Sequence, residues 1–156
     1  MVAPLTLSYM VKYWLAISTL DNWKVVKEKN IWGVASRYRS AIQKVSIGDH
    51  VLIYTMQSIQ NKEIIPSAVQ AEYEVVTGLF EDSHPIFVTP SRMGEERFPL
   101  RIRLKPLKKF TNPITMKPLV PELSFIKNKT MWSGSIRTAM REIPEKDYRI
   151  ITDAGK

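Results

Sequence analysis

Apolar side chains fill both parities of residues 10–18, with Val11, Tyr13, Leu15 and Ile17 on one and Met10, Trp14 and Ala16 on the other. That pattern predicts a strand buried on both faces. Ser18 and Asp21 then form a helix-start pattern, and Trp23, Val25 and Val26 follow at helical spacing until Asn30 stops the run. Trp32 falls in a turn-like segment, and Ala41, Ile42 and Val45 predict a second short helix over residues 39–45, ended near Gly48. Residues 51–56 read as a continuous strand and residues 60–63 as a polar turn. Residues 68–77 read as a strand with Val69, Ala71, Tyr73 and Val75 on one face, so a β-meander is expected. Pro66 marks an edge or a bulge.

The periodicity lapses over residues 81–96, where Pro85, Pro90 and Gly94 predict a long surface loop. It returns at Phe98, Leu100, Ile102 and Leu104, which alternate with Pro99, Arg101, Arg103 and Lys105. Pro113, Pro118 and Pro121 restrict residues 111–122 to short turns. Residues 124–132 are expected to return the chain to the sheet. Ile136, Met140 and Ile143 stand at helical spacing, and Pro144 with Glu145 opens a last helix whose Tyr148 and Ile151 face inward. No repeat is present. This order of elements predicts an α+β fold in which a mostly antiparallel sheet curls into a small barrel carrying short peripheral helices.

A length of 156 residues suits one domain, and 23 Lys and Arg against 15 Asp and Glu leave a net charge of +8. Such an excess concentrates polyanions, so nucleic acid, RNA or DNA, is the first partner to consider. With no cysteine, a disulfide scaffold, a thiol nucleophile and a thiolate zinc site are excluded. His50 and His84 lack the spacing of a metal site, so neither a metal nor a cofactor is expected. The apolar run over residues 10–17 is interrupted by Lys12 and is shorter than the ~20 residues of a membrane span. A soluble, cytoplasmic protein is expected.

Aromatic and basic side chains carry the candidate chemistry. Trp23 belongs to the core, Trp14 to the core or a pocket floor, and Trp32 to a pocket wall, where Gly33 beside it allows close approach of a ligand. Trp132 sits next to Ser133 at another element boundary. Stacking on such rings is worth ~1–3 kcal/mol per base, and Ser36, Ser133 and backbone amides could read the base edge. A pocket of this kind takes an unpaired or flipped base. From residue 97 to residue 109 there are six basic residues and no acid, and Arg97, Arg101, Arg103, Lys105 and Lys108 are assigned as a phosphate-binding strip.

The sequence Tyr13-Trp14-Leu15, the run Trp32-Gly33-Val34 followed by Arg37-Tyr38, the run from Gly48 to Tyr54, and Phe125-Ile126 through Trp132-Ser133 resemble an EVE domain. EVE domains belong to the PUA-like superfamily and are related to YTH readers, whose aromatic cage includes a tryptophan in a context similar to Asn30-Ile31-Trp32. The resemblance implies a PUA-like domain over residues 10–152, with residues 1–9 as an N-terminal arm and 153–156 as a frayed tail. It implies recognition of a modified base in DNA or RNA, and it carries Trp32, Arg37, Tyr38 and Tyr54 into the site. The full expected pocket is Trp14, Trp32, Gly33, Val34, Ser36, Arg37, Tyr38, Tyr54, Trp132 and Ser133. Two other functions stay open. One is an enzyme acting on RNA or a nucleotide through Asp49, His50, Arg37 and Tyr54; the other is an interaction domain with an acidic protein partner.

Overall fold

Residues 10–156 are described by a computed structural model of the chain; the expected arm over residues 1–9 lies outside the described residues. Strand β1 (Tyr13–Ser18) pairs in parallel with β3 (His50–Thr55), in register from Tyr13 opposite His50 to Ser18 opposite Thr55. Both faces are covered, as the sequence predicts. Trp14 and Ala16 join Val51 and Ile53 in one apolar cluster, while Leu15 and Ile17 join Leu52 and Tyr54 in the other. Parallel neighbours require a crossover. Helix α1 (Leu20–Lys29), strand β2 (Ile31–Val34) and helix α2 (Arg39–Ile42) provide it.

The start of α1 lies one residue later than expected, because Thr19 rather than Ser18 caps it by accepting a hydrogen bond from the Asn22 N–H at 3.1 Å. Asn30 closes the helix in the left-handed region. The turn expected around Trp32 is a strand. Ile31–Val34 pairs antiparallel with residues 100–103, and that long-range ladder overrides a locally turn-like composition. The second helix is also shorter than expected, ending at Ile42 after a 3₁₀ turn over Ser36–Tyr38.

The remaining strands are β4 (Ser58–Gln60), β5 (Glu63–Ile65), β6 (Ala68–Val75), β7 (Phe80–Glu81), β8 (Leu100–Thr115) and β9 (Met140–Ile143), followed by helix α3 (Glu145–Ala154). The main sheet runs β2-β8-β6-β3-β1-β9 with β7 beside β8, and all of its pairings except β1–β3 are antiparallel. It is a curled half-barrel of mixed α+β class. Bulges let one strand serve two cores. Along β6, Val69 faces the second cluster, but after the register shift Ala71, Tyr73 and Val75 face the first. β4 and β5 form a separate hairpin over the expected turn, with Asn61 and Lys62 both at positive φ as a two-residue loop requires.

Three expectations for the C-terminal half need correction. β8 does not stop near Leu104 but continues through Pro106 and Pro113, which sit at or within register irregularities against β6, where a strand tolerates proline. Residues 124–132 do not rejoin the sheet. The buried Asp147 carboxylate takes the N–H groups of Ser124 and Phe125 at 3.1 and 2.9 Å, donors that a strand would have offered to a neighbour. Finally, Met140–Ile143 is a strand on the free edge of β1, although its spacing suits a helix. α3 forms where Pro144 and Glu145 predict it, buries Tyr148 and Ile151, and runs through Ala154 into the segment expected to fray.

Two buried side chains bear on the expected site: Trp14 takes the core reading rather than the pocket floor, and Arg101 departs from its expected role. Trp14 is core, its Nε1 donating at 3.0 Å to Asp49, whose carboxylate also accepts the N–H groups of Lys12 and Ser46. Arg101 is not free for phosphate. It is 1% exposed and donates to the carbonyls of Phe98 at 3.0 Å, His84 at 2.6 Å and Arg97 at 3.0 Å, with Asp82 at 3.6 Å. Burial pulls its pKa below the ordinary value, and Asp82 opposes that shift. The side chain therefore ties residues 82–98 to the sheet.

Replacing Arg101 with Ala leaves three carbonyls unpaired, and a loss of at least about 2 kcal/mol is expected in urea denaturation, together with faster proteolysis within residues 82–98. Arg101→Lys should rescue little, because an ammonium lacks the forked donor set. Tyr73 offers a pH test. Its buried hydroxyl has no partner among the described residues, and burial pushes its pKa from 10.0 to about 12. The folded state then holds the proton more tightly than the unfolded state, so stability is full below pH 10 and falls as pH rises toward 12. Tyr73→Phe should be neutral or stabilising at pH 7 and make the alkaline fall of the melting temperature shallower.

Candidate functional site

A cavity of about 680 Å³ opens where β1 and β3 end. That volume suits a nucleoside-sized ligand. Ile17 and Ser18 reach it from β1, Thr19 and Asn22 from the start of α1, and Tyr54, Met56 and Gln57 from β3 and beyond. Its opposite wall comes from Phe87, Pro90, Arg92, Met93 and Phe98, and a further side from residues 132–139.

Eight of the ten expected pocket residues share this cavity: Trp32, Gly33, Val34, Arg37, Tyr38, Tyr54, Trp132 and Ser133. Trp14 does not, being held in the core by Asp49. Ser36 does not either, since the 3₁₀ turn leaves it exposed and away from the lining. Gly33 has a different reason for lacking a side chain than ligand approach. A Cβ there would lie 2.7 Å from the Phe87 ring and 2.9 Å from the Phe98 carbonyl, so the protein itself fills the space.

Trp32 is only 3% exposed, so its ring belongs to the core and to the cavity wall at once. Its Nε1 has no hydrogen-bond partner among the described residues. A buried donor without a partner is costly, which makes it a group that a ligand acceptor could satisfy. Tyr54 has its pKa raised by burial, with the Ser67 hydroxyl opposing, so at neutral pH it is a phenol able to donate or accept. Trp132 and Tyr38 are half-buried and offer more open ring area.

Sequence periodicity gave no sign of the wall formed by Phe87 and Met93, which lie in an aperiodic loop, and it assigned Phe98 to a strand that begins only at Leu100. Two polar clasps bring them in. Asn22 accepts the Val88 N–H at 2.7 Å and donates to the Val88 carbonyl at 3.0 Å, while Arg101 holds the other end. Phe98 adopts φ 51°, rare for a bulky residue, and is fixed there by Glu96 on its N–H and Arg101 on its carbonyl. Arg92 and Arg137 were equally hidden. With Arg37 they bring three guanidinium groups to the lining, which contains no Asp or Glu. None of the three makes an ion pair among the described residues. Arg37 lies over the Tyr38 ring at 5.0 Å.

The basic strip lies elsewhere, as none of Arg97, Arg101, Arg103, Lys105 and Lys108 lines the cavity. Arg97, Arg103, Lys105 and Lys108 are exposed, but Glu74 stands opposite Lys105 and Glu72 opposite Lys108 on the neighbouring strand. The residues considered for catalysis also separate. Asp49 serves the entry to β1, at the opposite end of the strand from the cavity, and His50 meets Tyr148 and Glu72 away from the cavity. Only Arg37 and Tyr54 reach the lining. Among the described residues no cluster of three His, Asp or Glu side chains could hold a metal ion, and no helix is long and apolar enough to cross a membrane.

Comparison with known proteins agrees with this architecture. The chain is 43% identical over 142 residues to a UPF0310 protein of Pyrococcus abyssi, covering 90% of this chain and 97% of that protein. Human THYN1, solved in complex with DNA containing 5-methylcytosine, superposes with a TM-score of 0.58 at 11% identity over 93% of this chain and 98% of that one. The YTH domain of Zygosaccharomyces rouxii MRB1, solved with N6-methyladenosine RNA, gives a TM-score of 0.57 at 16% identity over 93% of this chain and 86% of that one. The model of the EVE domain matches residues 12–154, and the chain belongs to that family.

Proposed function

We propose that this chain is a non-enzymatic reader of nucleic acid that holds one base, in modified form, in the cavity beside Trp32. The carrying observation is the combination of an aromatic-walled cavity with three unpaired arginines and no acid in its lining. Aromatic rings stack on any base, and guanidinium groups at the same opening suit the phosphates flanking it. The fold is shared with proteins solved on 5-methylcytosine DNA and on N6-methyladenosine RNA, which supports a modified nucleobase as the ligand. Val34, Met56, Phe87 and Ile136 in the lining favour a methylated edge. Burial of one methyl group gains about 0.8 kcal/mol, or roughly fourfold in affinity.

In this reading Arg37, Arg92 and Arg137 hold the phosphates next to the bound base. Arg97, Arg103, Lys105 and Lys108 provide a second, weaker track, weakened where Glu72 and Glu74 stand across from the lysines. Arg101 has no part in either.

Calorimetric titration with DNA and RNA strands carrying 5-methylcytosine or N6-methyladenosine, each against its unmodified strand, tests the pocket. Tyr38→Ala and Trp132→Ala should each weaken binding by about 5- to 150-fold, equivalent to 1–3 kcal/mol, with little change in melting temperature. Trp32→Ala should lose binding and also about 3–5 kcal/mol of stability, because the ring is core as well as wall. Unchanged affinity in the first two variants would reject the base pocket, and product formed by the wild type would favour an enzyme.

Salt dependence separates the two basic sets. Replacing Arg92 or Arg137 with Gln should lower the slope of log affinity against log salt by about 0.7–0.9, the value for one phosphate contact. Lys105→Gln should lower it by less. Equal slopes in wild type and the arginine variants would return those side chains to a role in solubility.

A further inference from the structure

The β4–β5 hairpin exposes an apolar pair that the pocket reading leaves unused. Ile59 is 71% and Ile64 65% exposed, and the two face each other in register across the hairpin. Two large aliphatic side chains displayed on a free two-stranded element invite association and are normally avoided. The placement of this hairpin gives them a use. Gln57 leads into it and Ser67 follows it, and both residues line the cavity. The hairpin therefore rises from the rim of the pocket itself.

At ~3.4 Å per residue, Ile59 stands about 7 Å beyond Gln57, roughly two base-pair steps. A base can enter the cavity from a duplex only by leaving the stack, and the gap it leaves destabilises the duplex unless something fills it. Apolar side chains, isoleucine among them, are inserted between base steps in other protein–DNA complexes, so an aliphatic pair is chemically suited to such a gap. Lys62, at positive φ in the turn, places a cation at the tip, with the exposed Glu63 next to it. A reader confined to single strands has no gap to fill.

We propose that the β4–β5 hairpin is a wedge, that Ile59 and Ile64 occupy the stack vacated by the bound base, and that the substrate is double-stranded. This rests on the base-pocket reading above. The test compares the wild type with the double variant Ile59→Ser, Ile64→Ser. Two probes are used, DNA with one 5-methylcytosine and RNA with one N6-methyladenosine, each as a single strand and as a duplex with 2-aminopurine beside the modified base.

The double variant should melt like the wild type, since both side chains are exposed. It should lose at least about tenfold in duplex affinity, change by less than about twofold on the single strand, and give a smaller 2-aminopurine signal. Equal losses on both forms, or no loss on either, would overturn the wedge. So would a concentration-dependent dimer of the wild type that the double variant abolishes with duplex affinity intact, because the pair would then serve contact between copies. If Tyr38→Ala still weakens single-strand binding while the wedge variant binds duplex normally, only the wedge fails. If Tyr38→Ala and Trp132→Ala keep full single-strand affinity, the pocket reading fails and the wedge with it.

Discussion

The candidate site depends on one buried cation. Arg101 extends from β8 beneath residues 82–98 and gathers the carbonyls of His84, Arg97 and Phe98 onto a single guanidinium. A charge sealed from water needs such acceptors, and the loop needs a donor set that can reach several carbonyls at once. Each explains the other. Without this anchor the segment would be held to the rest of the fold through Asn22 and Val88, and the Met93 and Phe98 part of the wall would loosen. The approach of Phe87 and Phe98 to β2 in turn requires the absence of a side chain at Gly33.

The opposite wall follows from the parallel pairing of β1 and β3. Since both strands run the same way, they end together, and Ser18, Tyr54 and Met56 meet at one rim with the start of α1. Asn22 in the first turn of α1 then bonds Val88 through both ends of its amide, which joins the strand-end wall to the loop wall. Two polar clasps of different chemistry thus close an irregular segment over an apolar cavity.

Charge is distributed with the same economy. Several of the acids are engaged in structural bonds: Asp49 at the entry to β1 and β3, Asp147 under residues 124–125, and Glu72 against Tyr148. The cavity lining is left with arginines alone. A net charge of +8 spread over the chain says little about where an anion binds. Local exclusion of acids from one opening says much more, because screening by salt confines surface electrostatics to about 10 Å.

Much of the fold was legible in the order of residues. Apolar runs on both parities marked β1 and β3, alternation marked β6, and Pro144 with Glu145 marked α3, since burial on one or two faces imposes those periods directly. The motifs around Trp32, Arg37, Tyr38 and Tyr54 pointed to the EVE family, and these four side chains do share one cavity. Tertiary structure alone decided the rest. Alternation put Arg101 on a basic outer face, yet the loop crossing β8 turned that position into an interior one. Ile136, Met140 and Ile143 kept a helical spacing, yet the open edge of β1 drew Met140–Ile143 into a strand. Arg92 and Arg137 carry no local signal and reach the pocket only through long-range bonds around them. A sequence pattern reports which side of an element faces apolar neighbours; it does not report which polar groups find partners across the fold, and those partners built this site.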